Sequence, residues 1–303
     1  MLRITDDRKR ELTFGRAPQR IVSLVPSDTL SVADLGARGA LVACTDYCEL
    51  PADVVAALPR IGGTKNPRLE AIMALEPDLI LANQEENTRS DLEKLAAAGF
   101  RVFVAFPKRV ADGMAHLARL ARILHVTREP AVQALLKAGY DAMQRAAHSR
   151  LEVPPVSVFC PIWMGPLMTI NGDTFVSDML RLGGADNVFF DRERRYPLAA
   201  DLSPVGAGGA RVIQKPTERD VRYPRITQEE LVARDPDLIL LPSEPHAFSE
   251  EDARIFAALP SPSGKKRRVA FCDGKDLSWY GSRSAAGIDR LRALVRNAGP
   301  QDR

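Results

Sequence analysis

The chain has 303 residues, of which 45% are hydrophobic and 27% charged, and its 42 basic and 39 acidic residues leave a net charge of +3. This composition predicts a globular protein with one large core or two of ordinary size, and it argues against extensive disorder. The one dense basic run, KKRR at 265–268, precedes an apolar strand and is interpreted as a solvated turn, so no nucleic-acid partner is expected. No segment approaches the ~20 apolar residues that span a bilayer.

Strand and helix signals alternate in two parts of the chain, which a purely helical part separates. Residues 1–19 form a polar N-terminal arm, and 20–107 alternate short apolar strands with helices, as is typical of a parallel sheet covered on both faces. Apolar residues recur only at helical spacing over 108–153. The strand pattern returns over 154–303, where a Gly-rich part at about 199–222 is expected to be a mobile insertion. The predicted fold class is therefore α/β, with two parallel-sheet lobes joined by a long rigid helical connector.

A fourteen-residue stretch occurs twice in the chain. LEAIMALEPDLILA at 69–82 returns as QEELVARDPDLILL at 228–241, and seven of the fourteen aligned positions are identical. Each copy predicts a short amphipathic helix, a Pro-Asp break and a buried strand, which together are half of an α/β unit. The duplication therefore indicates two related lobes.

The starts of the two repeated helices carry capping signals and a pair of equivalent glutamates. Asn66 is predicted to be the N-cap of the first helix, and Thr227 with Glu230 is predicted to form a capping box on the second. Glu70 and Glu229 occupy the same position in the two copies. A carboxylate there complements the helix dipole, yet Glu229 shows no capping role in the sequence, so a functional role for the pair stays open.

No catalytic or nucleotide-binding motif occurs, and the four histidines are scattered, which argues against metal binding by a local histidine motif. Whether a metal binds directly stays open. The cysteines at 44, 48, 160 and 272 form no CxxC pair and are expected to be free thiols. For Cys44 and Cys48 the alternative interpretation is a metal-binding pair.

Candidate ligand-binding residues follow the predicted strands. Ligands of open α/β sheets bind at the carboxyl ends of the strands. Aromatic rings with a few polar groups at those ends suit a flat, partly apolar ligand. For Trp163 the alternative interpretation is packing between the lobes. The candidates are Tyr47, Asn83, Gln84, Trp163, His246, Trp279, Tyr280 and Arg283.

Six segments resemble one known family, the helical-backbone (class III) substrate-binding proteins of ABC importers, whose members bind cobalamin, siderophores or haem. The resemblance covers about 20–297 and is greatest to the cobalamin-binding branch. The segments are RIVSLVPS at 20–27, TDYCELP at 45–51, GGTKNPRLEAIMALEPDLILAN at 62–83, NGDTFVSDMLRLGGADNV at 171–188, PDLILL at 236–241 and LSWYGSR at 277–283.

The resemblance implies a monomeric, non-enzymatic protein that holds a corrinoid or metal chelate, such as cobalamin, haem or a ferric chelate, in the cleft between its lobes. It implies delivery to an ABC permease, on whose arginines Glu70 and Glu229 would dock. It also implies that Tyr47 and Tyr223 present aromatic rings to the ligand. Gly63-Thr64 stands where cobalamin binders of the family place a tryptophan.

Two alternatives remain open at this stage. One is a cytosolic chaperone or sensor for corrinoids or metal chelates built on the same scaffold. The other is an enzyme with its active site in the cleft, for which Glu85 and His246 would form the acid–base pair. The expected location is periplasmic or membrane-associated if a signal segment has been removed, and cytoplasmic if Met1 is the native start.

Overall fold

Two four-stranded parallel sheets account for the alternating pattern in the sequence. The computed structural model describes residues 1–203 and 219–298. It divides the chain into two units, of which unit 1 comprises Met1–Asp141 and Trp279–Ala285, and unit 2 comprises Ala142–Ser278 and Ala286–Arg303. No helix in the described part of the chain is long and apolar enough to cross a membrane.

Unit 1 carries the first sheet, flanked by helices and preceded by an antiparallel hairpin. Its strands are β1 (Leu2–Thr5), β2 (Glu11–Phe14), β3 (Ile21–Ser23), β4 (Leu41–Cys44), β5 (Leu79–Asn83) and β6 (Val102–Ala105). Its helices are α1 (Pro26–Asp34), α2 (Ala52–Val55), α3 (Leu69–Ala74), α4 (Arg89–Ala97) and α5 (Val110–Ile123), and α6 (Pro130–Glu152) continues into unit 2. The parallel sheet has the order β4-β3-β5-β6, and β1 pairs with β2.

Unit 2 carries the second sheet and a second hairpin. Its strands are β7 (Val156–Phe159), β8 (Pro161–Trp163), β9 (Met168–Thr169), β10 (Ala185–Asn187), β11 (Leu238–Pro242) and β12 (Arg268–Cys272). Its helices are α7 (Phe175–Leu182), α8 (Gln228–Arg234), α9 (Glu250–Ala258), α10 (Lys275–Ser278) and most of α11 (Ser284–Ala298). The parallel sheet has the order β10-β7-β11-β12, and β8 pairs with β9.

The two sheets share one topology. Numbered along the chain within its own sheet, each sheet has the strand order 2-1-3-4. The first strand, β3 or β7, therefore lies between the second and the third, and the fourth strand pairs with the third. The repeated stretch supplies the third strand of both sheets, β5 and β11, whose residues are all buried. The predicted α/β fold with two parallel sheets and an intervening helical segment is confirmed.

The repeated Pro-Asp break closes each repeated helix and ties it to the neighbouring strand. The residue before the proline has a left-handed backbone in both copies, with φ 45° at Glu76 and φ 44° at Asp235. In unit 1 the Asp78 carboxylate then accepts the backbone N–H groups of Gln19 (2.8 Å) and Arg20 (2.9 Å), which lead into β3. The Asp78 N–H in turn donates to the Arg20 carbonyl at 2.9 Å.

The same clamp recurs in unit 2, where Asp237 binds Ser157 of β7. The Asp237 carboxylate accepts the Ser157 backbone N–H (3.2 Å) and hydroxyl (2.5 Å), and the Asp237 N–H donates to the Ser157 carbonyl at 3.0 Å. Burial raises the pKa of Asp237, but the bonds from Ser157 and Lys265 outweigh it, so the pKa lies below its ordinary value. Each aspartate therefore sets the register between the first and third strands of its sheet.

The predicted N-cap of the first repeated helix is wrong. Helix α3 begins at Leu69 with Arg68 as its N-cap, and Asn66 lies in the turn before it. Gly62, with φ 91°, bridges to Pro67 in antiparallel fashion, and the Arg68 N–H donates to Ile61 at 2.8 Å. This pairing keeps the backbone extended through Pro67, so the helix starts later than the Asn-Pro signal indicates.

The second repeated helix is capped differently from the prediction. Thr227 accepts the Glu230 backbone N–H at 3.1 Å, as expected, but the Glu230 carboxylate binds Arg192 at 2.8 Å instead of closing a capping box. Glu229 does have a role at the helix start, contrary to the sequence-based expectation. Hydrogen bonds from its own backbone N–H and from the Thr227 hydroxyl lower the pKa of its carboxyl.

The basic run at 265–268 is not simply a solvated turn. Arg267 is buried and donates to the Asp235 carboxylate and to the Leu259 and Pro260 carbonyls, each at 3.0 Å. Lys265 lies 2.9 Å from the Asp237 carboxylate. The acidic residues at the end of α8 draw these cations inward, a contact that only the fold reveals.

The predicted insertion at 199–222 falls largely on residues 204–218, which lie outside the described residues. Just before these residues, Asp201 is buried, and its carboxylate accepts the backbone N–H groups of Arg195 (2.6 Å) and Arg225 (3.0 Å). Arg192, also buried, lies 3.1 Å from the same carboxylate. The described flank is therefore anchored to the body of unit 2.

The aspartate clamps predict a specific loss of stability. Asp78→Ala and Asp237→Ala should each lower the free energy of unfolding by about 1–3 kcal/mol, because backbone N–H donors at the neighbouring strand lose a charged acceptor. Urea unfolding followed by circular dichroism measures the loss. Asp34→Ala, at an exposed position of α1, is the matched control and should change stability little. Equal losses in all three variants would contradict the clamp.

The pH dependence of the Asp237 contribution has a definite sign. Because the folded-state pKa is lowered, the stabilisation is present above the unfolded-state pKa of about 3.9. It is lost as the pH falls through the folded-state pKa. The stability difference between the wild type and Asp237→Ala should therefore shrink on acidification.

Candidate functional site

In unit 1, Tyr47 presents its ring to solvent after strand β4. Its side chain is 63% exposed. Two backbone hydrogen bonds hold the turn beneath it. The Cys48 N–H donates to the Thr45 carbonyl (3.2 Å), and the Asp46 N–H donates to the Gly62 carbonyl (3.0 Å). The ring packs over Gly63, where a Cβ would lie 3.3 Å from the ring and 2.4 Å from Asn66 Oδ1. Gly63 therefore makes room chiefly for Asn66, and the Tyr47 ring lies close beside it.

Asn83 ends strand β5 and Gln84 follows it, and the two side chains face different surroundings. Asn83 is buried, and its Oδ1 accepts the backbone N–H groups of Glu85 (2.7 Å) and Glu86 (3.3 Å), so it shapes the turn after the strand. The Gln84 side chain is exposed at the same carboxyl edge. Ligand contact by either residue stays a prediction.

Tyr280 and Trp279 are core residues of unit 1 and not surface rings. Trp279 is 6% and Tyr280 3% exposed, and the Tyr280 hydroxyl donates to Asp28 Oδ2 at 3.2 Å. His116 Nε2 lies 2.8 Å from Asp28 Oδ1. The three polar residues, Asp28, His116 and Tyr280, form what is called here the Asp28 cluster. Arg283, at the end of the helical turn that follows Tyr280, is half-buried.

The Asp28 cluster is packed as well as hydrogen-bonded. The His116 ring stacks on Phe103 at 5.6 Å and meets the edge of Tyr280 at 5.5 Å. Burial, reinforced by the charge of Asp28, raises the pKa of Tyr280 well above its ordinary value, so the phenol is the donor. His116 Nδ1 has no hydrogen-bond partner among the described residues. Sequence reasoning missed His116 and Asp28, although an acid three residues after the apolar strand RIVSLV was a usable signal.

In unit 2, the structure brings two predicted site residues together. The rings of Trp163 and His246 lie 5.4 Å apart between centroids, and His246 also meets the edge of Phe248 at 4.7 Å. Trp163 is 45% exposed, whereas Phe248 is buried in the core. His246 is thus held between a core ring and a surface ring, following strand β11.

Tyr223 lies on a segment that extends the β8–β9 hairpin. The Thr169 N–H donates to Pro224 (3.1 Å) and the Asn171 N–H to Arg222 (2.8 Å), and Met168 bridges to Arg225. The half-buried Tyr223 ring has the Arg222 guanidinium 5.4 Å from its centroid. Tyr223 and Trp163 therefore belong to one antiparallel ribbon at the edge of unit 2.

Phe190 is an exposed aromatic residue that sequence reasoning missed. It follows strand β10, is 62% exposed and packs over Gly172, where a Cβ would come within 2.5 Å of its ring. Strand β10 is only three residues long and has no apolar run, so its carboxyl end was not recognised. The double phenylalanine after ADNV was the available signal. Phe190 joins Trp163 and His246 as a residue that follows a strand of this sheet.

Glu70 and Glu229 occupy the same place in equivalent helices. Each lies in the first turn of its helix, α3 or α8, and each side chain is exposed. No group of three or more possible metal ligands occurs among residues 1–203 and 219–298. The described surfaces thus offer aromatic rings and isolated charges for recognition.

The Asp28 cluster predicts the effect of removing one hydroxyl. Tyr280→Phe should lower the stability of unit 1 by about 1–3 kcal/mol, because a buried carboxylate loses a donor. The unfolding midpoint in urea measures this change. Tyr140→Phe, at a ring that is 45% exposed in α6, is the matched control. A Tyr280→Phe midpoint equal to that of the control would show that the hydroxyl contributes nothing.

Comparisons with known proteins agree with this architecture. A family model described as periplasmic binding protein matches residues 21–253. A vitamin B12-binding protein of Photorhabdus laumondii subsp. laumondii is 27% identical over 228 residues, which make up 74% of this chain and 71% of that protein.

Two solved structures show the same fold. The periplasmic vitamin B12-binding protein of Vibrio cholerae has a TM-score of 0.71 at 19% identity, covering 94% of this chain and 99% of that one. A periplasmic haem-binding protein from Roseiflexus sp. RS-1 has a TM-score of 0.71 at 20% identity, with the same coverage. At these identities the likeness concerns the fold alone. Because the family model matches well over half of the residues, the chain belongs to the periplasmic binding protein family.

Proposed function

We propose that this protein captures a corrinoid or another metal chelate, such as haem or a ferric siderophore, and delivers it to an ABC importer. The observation that carries the proposal is the set of exposed aromatic rings that follow the strands of each sheet. Tyr47 follows β4 in unit 1, and Trp163 and Phe190 follow β7 and β10 in unit 2. Similar proteins are named for binding vitamin B12 or haem, which supports this ligand class.

The chemistry of these surfaces suits a flat ligand with an apolar face and a polar rim. Exposed aromatic rings supply large contact area at low entropic cost. Gln84 and His246 add polar groups beside them, as expected for a site where a few polar contacts orient the ligand. Binding without catalysis is proposed, because the named relatives are binding proteins.

Glu70 and Glu229 are proposed to dock on basic residues of a permease. The proposal is supported by their exposure and by their equivalent positions at the second residue of α3 and α8. Both carboxylates are exposed, and hydrogen bonds from its own backbone N–H and from Thr227 lower the pKa of Glu229 further below neutral pH. A protein with this role works outside the cytoplasmic membrane, in the periplasm or attached to the membrane, and a monomer suffices for it.

Ligand capture is testable by titration with cyanocobalamin, haemin and a ferric siderophore, followed by calorimetry and absorbance. At least one of the three should bind. Tyr47→Ala and Trp163→Ala should each weaken that binding by about tenfold, the equivalent of about 1.4 kcal/mol. Tyr140→Ala, which removes an exposed ring from α6, is the control and should leave the affinity unchanged.

The titration can also contradict the proposal. Absence of binding by all three chelates to folded protein would exclude the proposed ligand class while leaving the family assignment intact. Equal weakening by all three aromatic variants would show that the rings act through stability and not through contact with the ligand.

Docking is testable separately from capture. The double variant Glu70→Lys/Glu229→Lys should bind the ligand as the wild type does but lose at least about tenfold in uptake, because like charges then face the permease. Glu93→Lys/Glu251→Lys is the matched control, with one exposed glutamate changed in each unit. The rate of ligand uptake is measured in vesicles or cells that carry the cognate importer. Undiminished uptake by Glu70→Lys/Glu229→Lys would contradict docking, and the two glutamates would then have only the role of charges at the start of a helix.

A further inference from the structure

Two cysteines frame the turn that carries Tyr47. Cys44 ends strand β4, and Cys48 follows four residues later. Both are buried, at 0% and 1% exposure, and they pack together in one cluster with Val55. The residues on either side of Cys48, Tyr47 and Glu49, are exposed. The thiols therefore lie directly beneath a surface turn and not in the deep core.

Hydroxyl groups converge on the sulfur of Cys48. Thr29 Oγ1 lies 3.2 Å and Thr45 Oγ1 3.3 Å from Cys48 Sγ. The Thr45 hydroxyl at this distance can donate to an ionised sulfur, whereas the Thr29 hydroxyl also donates to the Val25 carbonyl at 3.1 Å. The surroundings of Cys48 are consequently polar on the sulfur side, although the residue itself is shielded from solvent.

Arg60 holds the two cysteines in one frame. Its Nη1 donates to the Thr45 carbonyl (2.8 Å) and the Cys48 carbonyl (2.7 Å), and it lies 3.5 Å from Cys44 Sγ. The backbone of Cys44 also bridges to Arg60 in parallel fashion. The positive charge and the fixed backbone keep both thiols in place without a covalent bond between them.

We propose that Cys44 and Cys48 form a reversible disulfide, a redox modification site that closes the turn bearing Tyr47. The two side chains are in contact, two hydroxyl groups lie beside the Cys48 sulfur, and the Arg60 guanidinium lies beside that of Cys44. A cation and hydroxyl groups beside a sulfur favour its thiolate, which is the nucleophile in disulfide exchange. The proposal does not depend on which ligand the protein binds.

The pKa of Cys48 is shifted in the opposite direction from the pKa values of the two cysteines in unit 2. The hydrogen bond from Cys44 lowers the pKa of Cys48, and the hydroxyls of Thr29 and Thr45 assist against the effect of burial. In unit 2, burial raises the pKa of Cys160 to about 12 and raises that of Cys272 as well. Those two cysteines, whose thiols have a raised pKa, therefore serve as the comparison within the same chain.

The oxidant is a small-molecule disulfide, and the exchange balances in two steps. The Cys48 thiolate attacks one sulfur of the oxidant, which forms a mixed disulfide and releases one thiolate. The Cys44 sulfur then attacks Cys48 Sγ, and its proton goes to the second leaving thiolate. Overall two protein thiols are oxidised to one disulfide, and one oxidant disulfide is reduced to two thiols.

The short loop makes this bond suited to reversible use. A cross-link between residues four positions apart removes little chain entropy, so it adds little to folding stability. Its effect is local, since it would join the two ends of the turn that presents Tyr47. A redox change would thus alter the freedom of that ring while leaving the rest of unit 1 unaffected.

The disulfide is tested on the full chain by equilibration in glutathione buffers with an increasing oxidised fraction. Acid quenching, alkylation and trypsin digestion follow. The tryptic peptide 39–60 contains both cysteines and neither of the other two. In oxidising buffer this peptide should escape alkylation and be lighter by two hydrogens, and a dithiol reductant should restore two alkylation sites.

Matched variants assign the bond to this pair. Cys160→Ser/Cys272→Ser should oxidise like the wild type, whereas Cys44→Ser should stop at a glutathione adduct on Cys48. Two alkyl groups on the wild-type peptide in every buffer would overturn the proposal, and so would a persistent glutathione adduct beside an unreacted Cys44. The wild-type peptide decides the question even if a variant fails to fold, as circular dichroism would show.

Discussion

The paired aspartate clamps, Asp78 on Gln19 and Arg20 and Asp237 on Ser157, are the constraint on which the rest of the structure depends. In both copies the helix ends in a left-handed residue, the following proline prevents its continuation, and the aspartate then accepts hydrogen bonds from the neighbouring segment. The donors are backbone N–H groups at the start of the adjacent strand. The clamp therefore aligns the first and third strands of each sheet.

Alignment of the strands determines where the recognition surfaces form. Once β5 and β11 are in register with β3 and β7, the loops after all four strands of a sheet emerge at one edge. Tyr47 emerges there in unit 1, and Trp163, Phe190 and His246 in unit 2. None of these rings lies on a strand of the parallel sheets, so the loops that carry them are separate from the scaffold that positions them.

Buried polar clusters give each unit a unique core. In unit 1 Asp28 is shared by His116 and Tyr280, and in unit 2 Arg192 is shared by Asp201 and Glu230. Such groups are costly to bury and are tolerated only when hydrogen bonds replace the lost water. A shifted strand register would leave these buried polar groups without hydrogen-bond partners. Such a register is therefore less stable than it would be if the same positions were apolar.

The sequence by itself determined the two sheets, the duplicated helix-strand unit, the helical segment between them and the family, because these follow from local periodicity and from motifs that are contiguous in the chain. It did not determine the N-cap at Arg68, the burial of Arg267 and Tyr280, or the surface position of Phe190. The N-cap depends on a backbone pairing between Gly62 and Pro67 that the Asn-Pro signal does not indicate. The other outcomes rest on partners further away in the sequence: Asp235 binds Arg267, Asp28 binds Tyr280 across 252 positions, and Phe190 packs over Gly172. Only the tertiary structure decides which polar side chain finds a buried partner, since that depends on contacts that no local pattern records.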